Sequence, residues 1–322
     1  MQYKNIVVTG GAGFIGSVFV EMALKEWPEA NITVVDMLTY AGTLDNLESS
    51  FYNPRVRFVY ADITNLEAMS KLMSKGDCDL VVNFAAESHV DNSIKNPLKF
   101  MRTNALGTNV LLQVCKECGV KRFHQVSTDE VYGFLPLNEP DKKFTETSPI
   151  NPSSPYSASK ASADMMVLAY GKTFGLKVTV SRCSNNFGRN QHDEKMIPTI
   201  IRHALNDDKI PVYGDGSNVR DWIYVEDHCK AIMEIVEHGE SGEVYNIGGH
   251  MELSNNELVR KILAIMGKPE TLIEYVADRP AHDLRYAIDD SKLGWTVGRH
   301  DFTDALKETI KFYTKKYTEN KK

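Results

Sequence analysis

Long uncharged apolar runs are absent from this sequence of 322 residues. A membrane-spanning helix needs about 20 apolar residues in succession, and no stretch approaches that length. No basic leader precedes the apolar segment Ile6–Val8, so we expect no signal peptide and a cytoplasmic protein. Positive charge is not in excess either, since 37 Lys and Arg face 43 Asp and Glu, for a net charge of -6. We therefore expect neither a membrane nor a nucleic acid as the main partner.

Cysteine is scarce, and internal repeats and low-complexity tracts are missing. The five cysteines are Cys78, Cys115, Cys118, Cys183 and Cys229. An odd and scattered set in a large intracellular chain predicts reduced thiols. Cys115 and Cys118 have the spacing of a metal or redox pair, but no second pair and no histidine at ligand spacing accompany them. We therefore interpret them as helix thiols and expect no metal site.

The first half of the chain alternates short β-branched runs with helical patterns. Such alternation predicts a parallel sheet with right-handed crossovers and helices on both faces, which is a doubly wound, Rossmann-type α/β fold. The predicted strands are Asn5–Thr9, Ile32–Asp36, Val56–Tyr60, Leu80–Phe84, Arg122–Ser127 and Val178–Arg182. The predicted helices are Gly13–Glu26, Leu66–Ser74, Leu98–Cys118 and Ser157–Phe174.

After Arg182 the alternation becomes irregular, and we expect a smaller, mixed α/β C-terminal substrate domain. Residues 1–182 with about 221–248 are predicted to form the cofactor domain, and about 183–220 with 249–322 the substrate domain. Ser184–His192 is polar and predicts a loop. Further strands are predicted in Pro211–Gly216, Trp222–Val225 and Val244–Ile247, and further helices in Met196–Leu205, Glu226–Glu237, Ser254–Met266 and Phe302–Tyr317.

Three glycines spaced three residues apart lie between the first strand and the first helix. Gly10 allows the sharp turn, Gly13 the approach of a pyrophosphate, and Gly16 the close packing of the helix. Alone they fit a plain tight turn, but Asp36 follows at the distance expected of a ribose-binding acid. A carboxylate there binds a 2′-hydroxyl and repels a 2′-phosphate, so the predicted cofactor is NAD. The residues after the acid supply no arginine for a 2′-phosphate: Met37, Leu38 and Thr39.

Asp62 and Ile63 end the third predicted strand. Two interpretations stay open for the acid, which either meets the adenine of the cofactor or caps the helix that follows Thr64.

Tyr156 and Lys160 are four residues apart on a predicted helix and share one face. A nearby ammonium favours an ionised phenol, so we expect Lys160 to lower the pKa of Tyr156 and make it a base. A surface pair is the alternative. Thr128 ends a strand at the edge of the sheet where ligands bind, and is placed to donate to the same substrate oxygen.

The glycine turn, the Thr128 segment and the Tyr-x-x-x-Lys helix together resemble the extended short-chain dehydrogenase/reductase family. Asp129 and Glu130, which alone would fit solvated loop charges, resemble the acid pair of its nucleotide-sugar 4,6-dehydratases. The similarity extends over nearly the whole chain. Its further segments are Ala85–Asp91, Asn185-Asn186, Glu194-Lys195, Arg220–Trp222, Tyr245–Gly249 and Asp278–Asp283.

The resemblance implies the chemistry of a lyase that reuses its NAD. Tyr156 takes the O4 proton of the sugar while Thr128 steadies the oxygen, and a hydride leaves C4. Glu130 then removes the acidified C5 proton, Asp129 protonates the departing C6 hydroxyl, and the hydride returns to C6. The resemblance, not the spacing, decides which acid has which role. A 4-epimerase or a dehydratase for another nucleotide is the alternative.

The resemblance also implies binding residues, a dTDP-linked sugar as substrate and a homodimer formed through Leu98–Cys118 and Ser157–Phe174. Lys195, Arg220 and Arg279 would meet the diphosphate, although an ion pair with neighbouring acids is the alternative for Arg220. Tyr213 would stack on the base, or be a half-buried strand aromatic. Implied cofactor residues beyond those above, with Tyr156 and Lys160 among them, are Phe14, Ile15, Phe84, Ala85, Ala86, Ser88, Thr103 and Asn186. Implied substrate residues besides Thr128 are Ser88, Asn185, Lys195, Met196, Pro211, Tyr213, Arg220, Asn255, Arg279 and His282.

The sequence departs from the family pattern at one loop. The family has Asn-Tyr-Gly-Pro where this chain has Phe187, Gly188 and Arg189 after Asn186. Loss of the proline predicts a freer loop, and the arginine predicts added positive charge near the sugar.

Overall fold

The computed structural model describes residues 3–74, 78–278, 282–294 and 299–319. Within these ranges the strands are β1 (Asn5–Thr9), β2 (Asn31–Asp36), β3 (Val56–Tyr60), β4 (Leu80–Asn83), β5 (Arg122–Thr128), β6 (Val178–Cys183), β7 (Asn185–Phe187), β8 (Ile210–Tyr213), β9 (Val219–Tyr224), β10 (Glu243–Ile247), β11 (Glu252–Ser254) and β12 (Ile273–Val276). The α-helices are α1 (Phe14–Glu26), α2 (Glu48–Phe51), α3 (Leu66–Met73), α4 (Val90–Lys95), α5 (Pro97–Phe100), α6 (Thr108–Cys118), α7 (Pro155–Phe174), α8 (Met196–Leu205), α9 (Val225–His238), α10 (Asn255–Met266) and α11 (Phe302–Glu319).

Over the described ranges, seven strands form one sheet in the order β10-β6-β5-β4-β1-β2-β3. All neighbouring strands in it are parallel. Their apolar side chains, such as Val8, Val34 and Val82, are fully buried, as expected for a sheet with helices on both faces. The chain runs outward from β1 in one direction and from β4 in the other, which opens a crevice at the carboxyl ends of the two strands. The predicted doubly wound fold is confirmed.

Two small sheets accompany the large one, and they include strands that we did not predict. Strands β11, β9 and β7 form one sheet, and β12 pairs with β8 in the other. The prediction of a loop at Ser184–His192 is wrong at its start, because β7 pairs in parallel with β9. The Phe187 ring explains the difference, since it is buried against the rings of Tyr224 and Phe302.

The predicted helix Leu98–Cys118 is divided in the structure. A π-helical segment, Met101–Gly107, separates α5 from α6. Its Asn104 is buried, accepts from the backbone N–H of Glu87, and donates to the hydroxyl of Ser159 on α7. The side chain of Asn104 is thus held by two residues outside this segment, at the point where the helix departs from regular α-helical geometry. None of the helices in the described ranges is both long enough and apolar enough to cross a membrane.

A single carboxylate joins the large sheet to the sheet of β11, β9 and β7. Asp221, on β9, accepts from the hydroxyl of Ser184, the residue that follows β6, at 2.6 Å. It also accepts from the backbone N–H groups of Gly249 and Met251, both at 2.7 Å. Its side chain is buried, so the three hydrogen bonds are shielded from water.

Candidate active site

A cavity of about 310 Å³ lies at the carboxyl ends of the central strands. The five predicted catalytic residues all line it: Thr128, Asp129, Glu130, Tyr156 and Lys160. The predicted cofactor residues that line it are Gly10, Gly13, Phe14, Ile15, Gly16, Asp36, Met37, Thr39, Asp62, Ile63, Phe84, Ala85, Ala86, Ser88, Thr103 and Asn186. The structure therefore brings the two predicted sets of residues into one space.

The glycine turn forms the floor of this cavity in front of α1. Gly10 has a φ of +68°, and a Cβ there would lie 2.5 Å from the backbone nitrogen of Ala85. A Cβ on Gly16 would lie 2.4 Å from the carbonyl oxygen of Gly10. At Gly13 a Cβ would meet only that same oxygen, at 3.1 Å, so its other side is open. The free N–H groups of the helix terminus and this open side suit a pyrophosphate.

Asp36 holds the other end of the turn. Its carboxylate accepts from the backbone N–H of Ala12 at 3.0 Å and from that of Leu38 at 2.8 Å. Burial raises the pKa of Asp36, while these hydrogen bonds lower it. Leu38 is the one predicted cofactor residue of the turn region that does not line the cavity. It occupies a left-handed conformation with a φ of 47°, and its backbone N–H donates to Asp36.

The sequence left two interpretations open for Asp62, a contact with the cofactor or a cap of the next helix, and the structure agrees with each of them only in part. It lines the cavity, and it accepts from the backbone N–H of Thr64 at 2.8 Å. The cap of α3, however, is Asn65, which accepts from the N–H of Ala68. Asp62 therefore closes the turn before the helix and faces the cavity, while a neighbour caps the helix.

Tyr156 and Lys160 lie in the first turns of α7, which begins with a capping box at Ser154 and a proline. Both side chains are buried, and the Lys160 ammonium donates to the carbonyl oxygen of Val126 at 2.7 Å. Burial, followed by the charge of Glu130, raises the pKa of Tyr156 well above its usual range. The expected lowering by Lys160 is therefore wrong for the protein alone, because burial of the phenol is the larger effect.

Thr128, Asp129 and Glu130 follow one another where β5 passes into a short 3-10 helix. The Thr128 hydroxyl donates to Asp129 Oδ1 and accepts from the N–H of Glu130, both at 3.3 Å. Asp129 is buried, and no hydrogen-bond partner for its Oδ2 is found among the described residues. Burial and then the charge of Glu130 raise the pKa of Asp129 well above its usual range. The buried carboxyl group of Asp129, with its raised pKa, thus lies beside the half-buried carboxyl group of Glu130.

The comparisons with known proteins agree with this geometry. The model of the GDP-mannose 4,6 dehydratase family matches residues 7–309. The chain belongs to this family. It is 48% identical to the low-salt glycan biosynthesis protein Agl12 of Haloferax volcanii, over 96% of this chain and 98% of that protein. It is 46% identical to a dTDP-glucose 4,6-dehydratase of Mycobacterium tuberculosis, over 96% of this chain and 93% of that enzyme.

A solved structure is similar over almost the whole fold. DesIV, a dTDP-glucose 4,6-dehydratase from Streptomyces venezuelae crystallised with NAD, matches with a TM-score of 0.93 and 42% identity, over 98% of both chains. The resemblance to nucleotide-sugar dehydratases that the sequence indicated is confirmed.

Only some of the substrate residues predicted for the present chain lie at the cavity. Ser88, Thr128, Asn185 and Lys195 line it. Arg279 lies outside the described residues. The others do not line the cavity: Met196, Pro211, Tyr213, Arg220, Asn255 and His282.

Tyr213 and Arg220, two of the predicted substrate residues that do not line the cavity, have other contacts in the ligand-free protein. Tyr213 is 43% exposed at the end of β8, with the His282 ring edge-to-face at 6.3 Å. Arg220 is buried, stacks over the Tyr286 ring at 4.3 Å, and donates to the carbonyl oxygen of Asp283 at 2.9 Å. In place of the ion pair considered for it, Arg220 makes stacking and backbone-carbonyl contacts, and its charge offsets a part of the rise in the pKa of Asp129.

The loop that departs from the family pattern also departs from our expectations. Arg189 turns away from the cavity and pairs with Glu21 at 3.0 Å and with Glu226 at 3.6 Å. Its guanidinium group is therefore paired with carboxylates of α1 and α9. The loop is also held by Asn190, whose Nδ2 donates to the hydroxyl of Ser17 at 3.1 Å.

Several lining residues escaped the sequence prediction. Glu87 lies within the segment Ala85–Asp91 and Glu194 within the pair Glu194-Lys195, so the family resemblance already included both of them. The sequence predicts only a reduced thiol at Cys183 and a loop at Ser184. The remaining unpredicted lining residues are Val35, Tyr40, Ala41, Gly42, Ala61, Val126, Ser127, Gln191 and His192.

Proposed function

We propose that this chain is a hydro-lyase that converts dTDP-glucose to dTDP-4-keto-6-deoxyglucose and water, with NAD as a recycled cofactor. The similarity to dTDP-glucose 4,6-dehydratases supports the substrate and the cofactor. The observation that carries the reaction is one cavity lined by Thr128, Asp129, Glu130, Tyr156 and Lys160 together with the glycine turn.

The glycine turn fits NAD. Gly13 leaves backbone open to a pyrophosphate, and Asp36 is held by two N–H groups with its carboxylate at the cavity. When bound, NAD would accept a hydride from the sugar and return it. Tyr156 and Lys160 would adjoin the nicotinamide ribose, and Asn186, whose Nδ2 already donates to the carbonyl oxygen of Ser184, would border the ring.

Tyr156 is proposed to take the proton of the 4-hydroxyl group. The Thr128 hydroxyl, whose hydrogen bond offsets a part of the rise that burial causes in the pKa of Tyr156, would contact the same sugar oxygen. Because burial keeps the phenol protonated in the protein alone, its work as a base requires positive charge near it in the loaded enzyme. Lys160, buried one turn further along α7, is the side chain that we propose to supply it.

Asp129 and Glu130 are proposed to carry out the elimination. The 4-ketone acidifies the C5 hydrogen, which Glu130 removes as a proton. Asp129, whose pKa is raised by burial, would give its proton to the departing C6 hydroxyl, which leaves as water. Once the hydride had returned to C6 from the bound reduced cofactor, Glu130 would give its proton back to C5 and complete the 4-keto-6-deoxy sugar.

Two other activities are distinguished by their products. A nucleotide-sugar 4-epimerase needs neither a base at C5 nor an acid at C6, so the acid pair in the cavity argues against it. An ordinary dehydrogenase would release reduced nicotinamide. The test is a product assay with dTDP-, UDP-, CDP- and GDP-hexoses in parallel, without added reductant. We expect a 4-keto-6-deoxy sugar from dTDP-glucose with no net growth of nicotinamide absorbance, and a 4-epimer or accumulating NADH would refute the proposal.

We also propose a cytoplasmic homodimer with the two domains described from the sequence. Exposed apolar side chains on the predicted contact segments support the dimer, namely Leu98, Leu106 and Met165. Recycling further implies that NAD stays bound between turnovers. The purified protein should then turn over without added cofactor, and a preparation that depends on added NAD would count against this.

A further inference from the structure

The loop of residues 188–195 supplies part of the cavity wall. Gln191, His192, Glu194 and Lys195 line the cavity. Lys195 Nζ also donates to the carbonyl oxygen of Ser88, another lining residue, at 3.2 Å. The position of this loop therefore determines where the predicted phosphate-binding ammonium stands.

Helix α11 contacts the loop although none of its described residues lines the cavity. Tyr313, on this helix, is fully buried. Its hydroxyl donates to the carbonyl oxygen of Gln191 at 2.5 Å and lies 3.4 Å from that of Gly188. One side chain of α11 thus binds the backbone of the loop near both its start and its middle.

A second contact follows one turn later on α11. The Tyr317 hydroxyl donates to Asp193 Oδ1 at 2.8 Å, and Lys316 Nζ donates to the same oxygen at 3.1 Å. Burial raises the pKa of Tyr313 and of Tyr317 above the usual range, so both hydroxyl groups remain donors at neutral pH. The acceptor carboxylate belongs to the residue directly before Glu194.

The loop is bound on its other side by the cofactor half of the protein. Asn190 has a left-handed φ of 67° and donates from Nδ2 to the Ser17 hydroxyl and, at 3.3 Å, to the carbonyl oxygen of Asn46. Gln191 Nε2 donates to the carbonyl oxygen of Asn186 at 2.9 Å. The loop therefore spans from α1 to α11 with hydrogen bonds at each end.

We propose that Tyr313 and Tyr317 are positioning residues of the substrate site, whose hydroxyl groups hold the loop so that Lys195 meets the diphosphate of the substrate. They supply the constraint that the family pattern places in a proline at position 189. A loop that is fixed before binding loses less conformational freedom when the substrate binds, which strengthens binding without changing the chemical step. The proposal rests on the proposed function, because it concerns the substrate of that reaction.

The test replaces the two tyrosines by phenylalanine, singly and together, which removes the hydroxyl groups and keeps the rings. Each lost hydrogen bond should raise KM for dTDP-glucose by about fivefold. We expect kcat to change by less than about twofold, since uniform binding is lost and not transition-state stabilisation. Thr309→Val is the matched control, because this buried hydroxyl of α11 donates only to Ala305 within its own helix.

Hydrogen exchange of the backbone and binding of dTDP give a second measurement that does not depend on turnover. In the double variant, amides of residues 188–195 should exchange faster and dTDP should bind more weakly, while amides of β5 stay unchanged. An unchanged KM and loop exchange in the folded double variant would overturn the proposal, as would an equal rise in KM in Thr309→Val. If the parent protein does not act on dTDP-glucose, the proposed function fails, while exchange and dTDP affinity still decide the role of the tyrosines.

Discussion

The ammonium of Lys160 donates to the carbonyl oxygen of Val126 at 2.7 Å, and burial lowers the pKa of this lysine while the charge of Asp164 raises it. The net effect lowers the pKa of Lys160, whose amino group is held against β5, the strand that ends at Thr128. The tyrosine four residues before it is buried as a neutral phenol. The residues of the proton-transfer site are therefore already in place before ligands bind, while the phenol of Tyr156 still carries its proton.

Tyr156→Phe should reduce kcat by about 10²- to 10⁴-fold, because a general base is lost. NAD should remain bound, since the glycine turn and Asp36 are untouched. The measurement is steady-state product formation together with NAD extracted from the denatured protein. Tyr132→Phe is the control, because this buried hydroxyl donates to Asn246 and does not line the cavity. Equal loss of activity in the control would show a structural effect of any buried tyrosine.

Glu130→Gln should retain NAD but abolish the 4-keto-6-deoxy product, because the base at C5 is missing. Oxidation at C4 should still occur, so a single turnover is expected to show reduced nicotinamide that is not reoxidised. Nicotinamide absorbance in stopped flow checks this. Undiminished formation of product by the variant would contradict the assigned acid pair.

Asp129→Asn should abolish elimination and yet stabilise the fold at neutral and alkaline pH. Burial raises the pKa of Asp129, so its contribution to stability is complete below the usual carboxyl range and is lost as the pH rises through the folded value. The loss can reach at most about 1.4 kcal/mol for each pH unit between the two values. The difference in urea unfolding free energy between the parent and Asp129→Asn should therefore grow from pH 5 to pH 8. A difference that stays constant would mean that the carboxyl group is already ionised.

Asp164→Ala should lower the free energy of unfolding by about 3–5 kcal/mol, because it leaves a buried cation without its partner. Arg182 Nε donates to Asp164 Oδ2 at 2.9 Å, with side-chain exposures of 2% and 0%. Denaturant unfolding measures the change. Asp304→Ala is the control, since its pair with Lys307 is exposed and should contribute less than about 1 kcal/mol. An equal loss of unfolding free energy in Asp164→Ala and Asp304→Ala would contradict the expectation that the buried ion pair contributes more than the exposed one.

Asp36→Asn should weaken NAD binding by about tenfold or more, because a charge-assisted acceptor for the ribose is lost. Asp215→Asn is the control, because this aspartate does not line the cavity. An amide oxygen there can still accept from the N–H of Ser217, so the turn should persist and NAD affinity should change little. Titration calorimetry on protein freed of NAD compares the two. Equal weakening in both variants would argue against a specific ribose contact at Asp36.

The sequence predicted the parts of the fold and site that depend on local patterns. The large sheet followed from alternating strands and helices, and the turn at Gly10 followed from steric needs that only glycine meets. The pairing of Tyr156 and Lys160 on one helix followed from a spacing of four. The family resemblance, rather than any spacing, pointed to the roles of Asp129 and Glu130.

Features that depend on distant contacts were not predictable. Strand β7 forms because Phe187 finds aromatic partners far along the chain, and the π-helical segment forms around Asn104. The direction of the Tyr156 pKa shift depends on burial, and the burial of a side chain cannot be predicted from the spacing of residues in the sequence. Arg189 also illustrates this limit, because its partners Glu21 and Glu226 lie on helices remote in sequence.

The buried carboxylate of Asp221 limits how this protein can open. It ties the end of β6 to β9 through the hydroxyl of Ser184, while its other two hydrogen bonds hold the residues before β11. Rotation of the small sheet against the large one would leave this buried carboxylate without one of its three donors. We therefore expect the two sheets to keep their relative position when substrate binds, with ligand-free and ligand-bound forms that superpose closely.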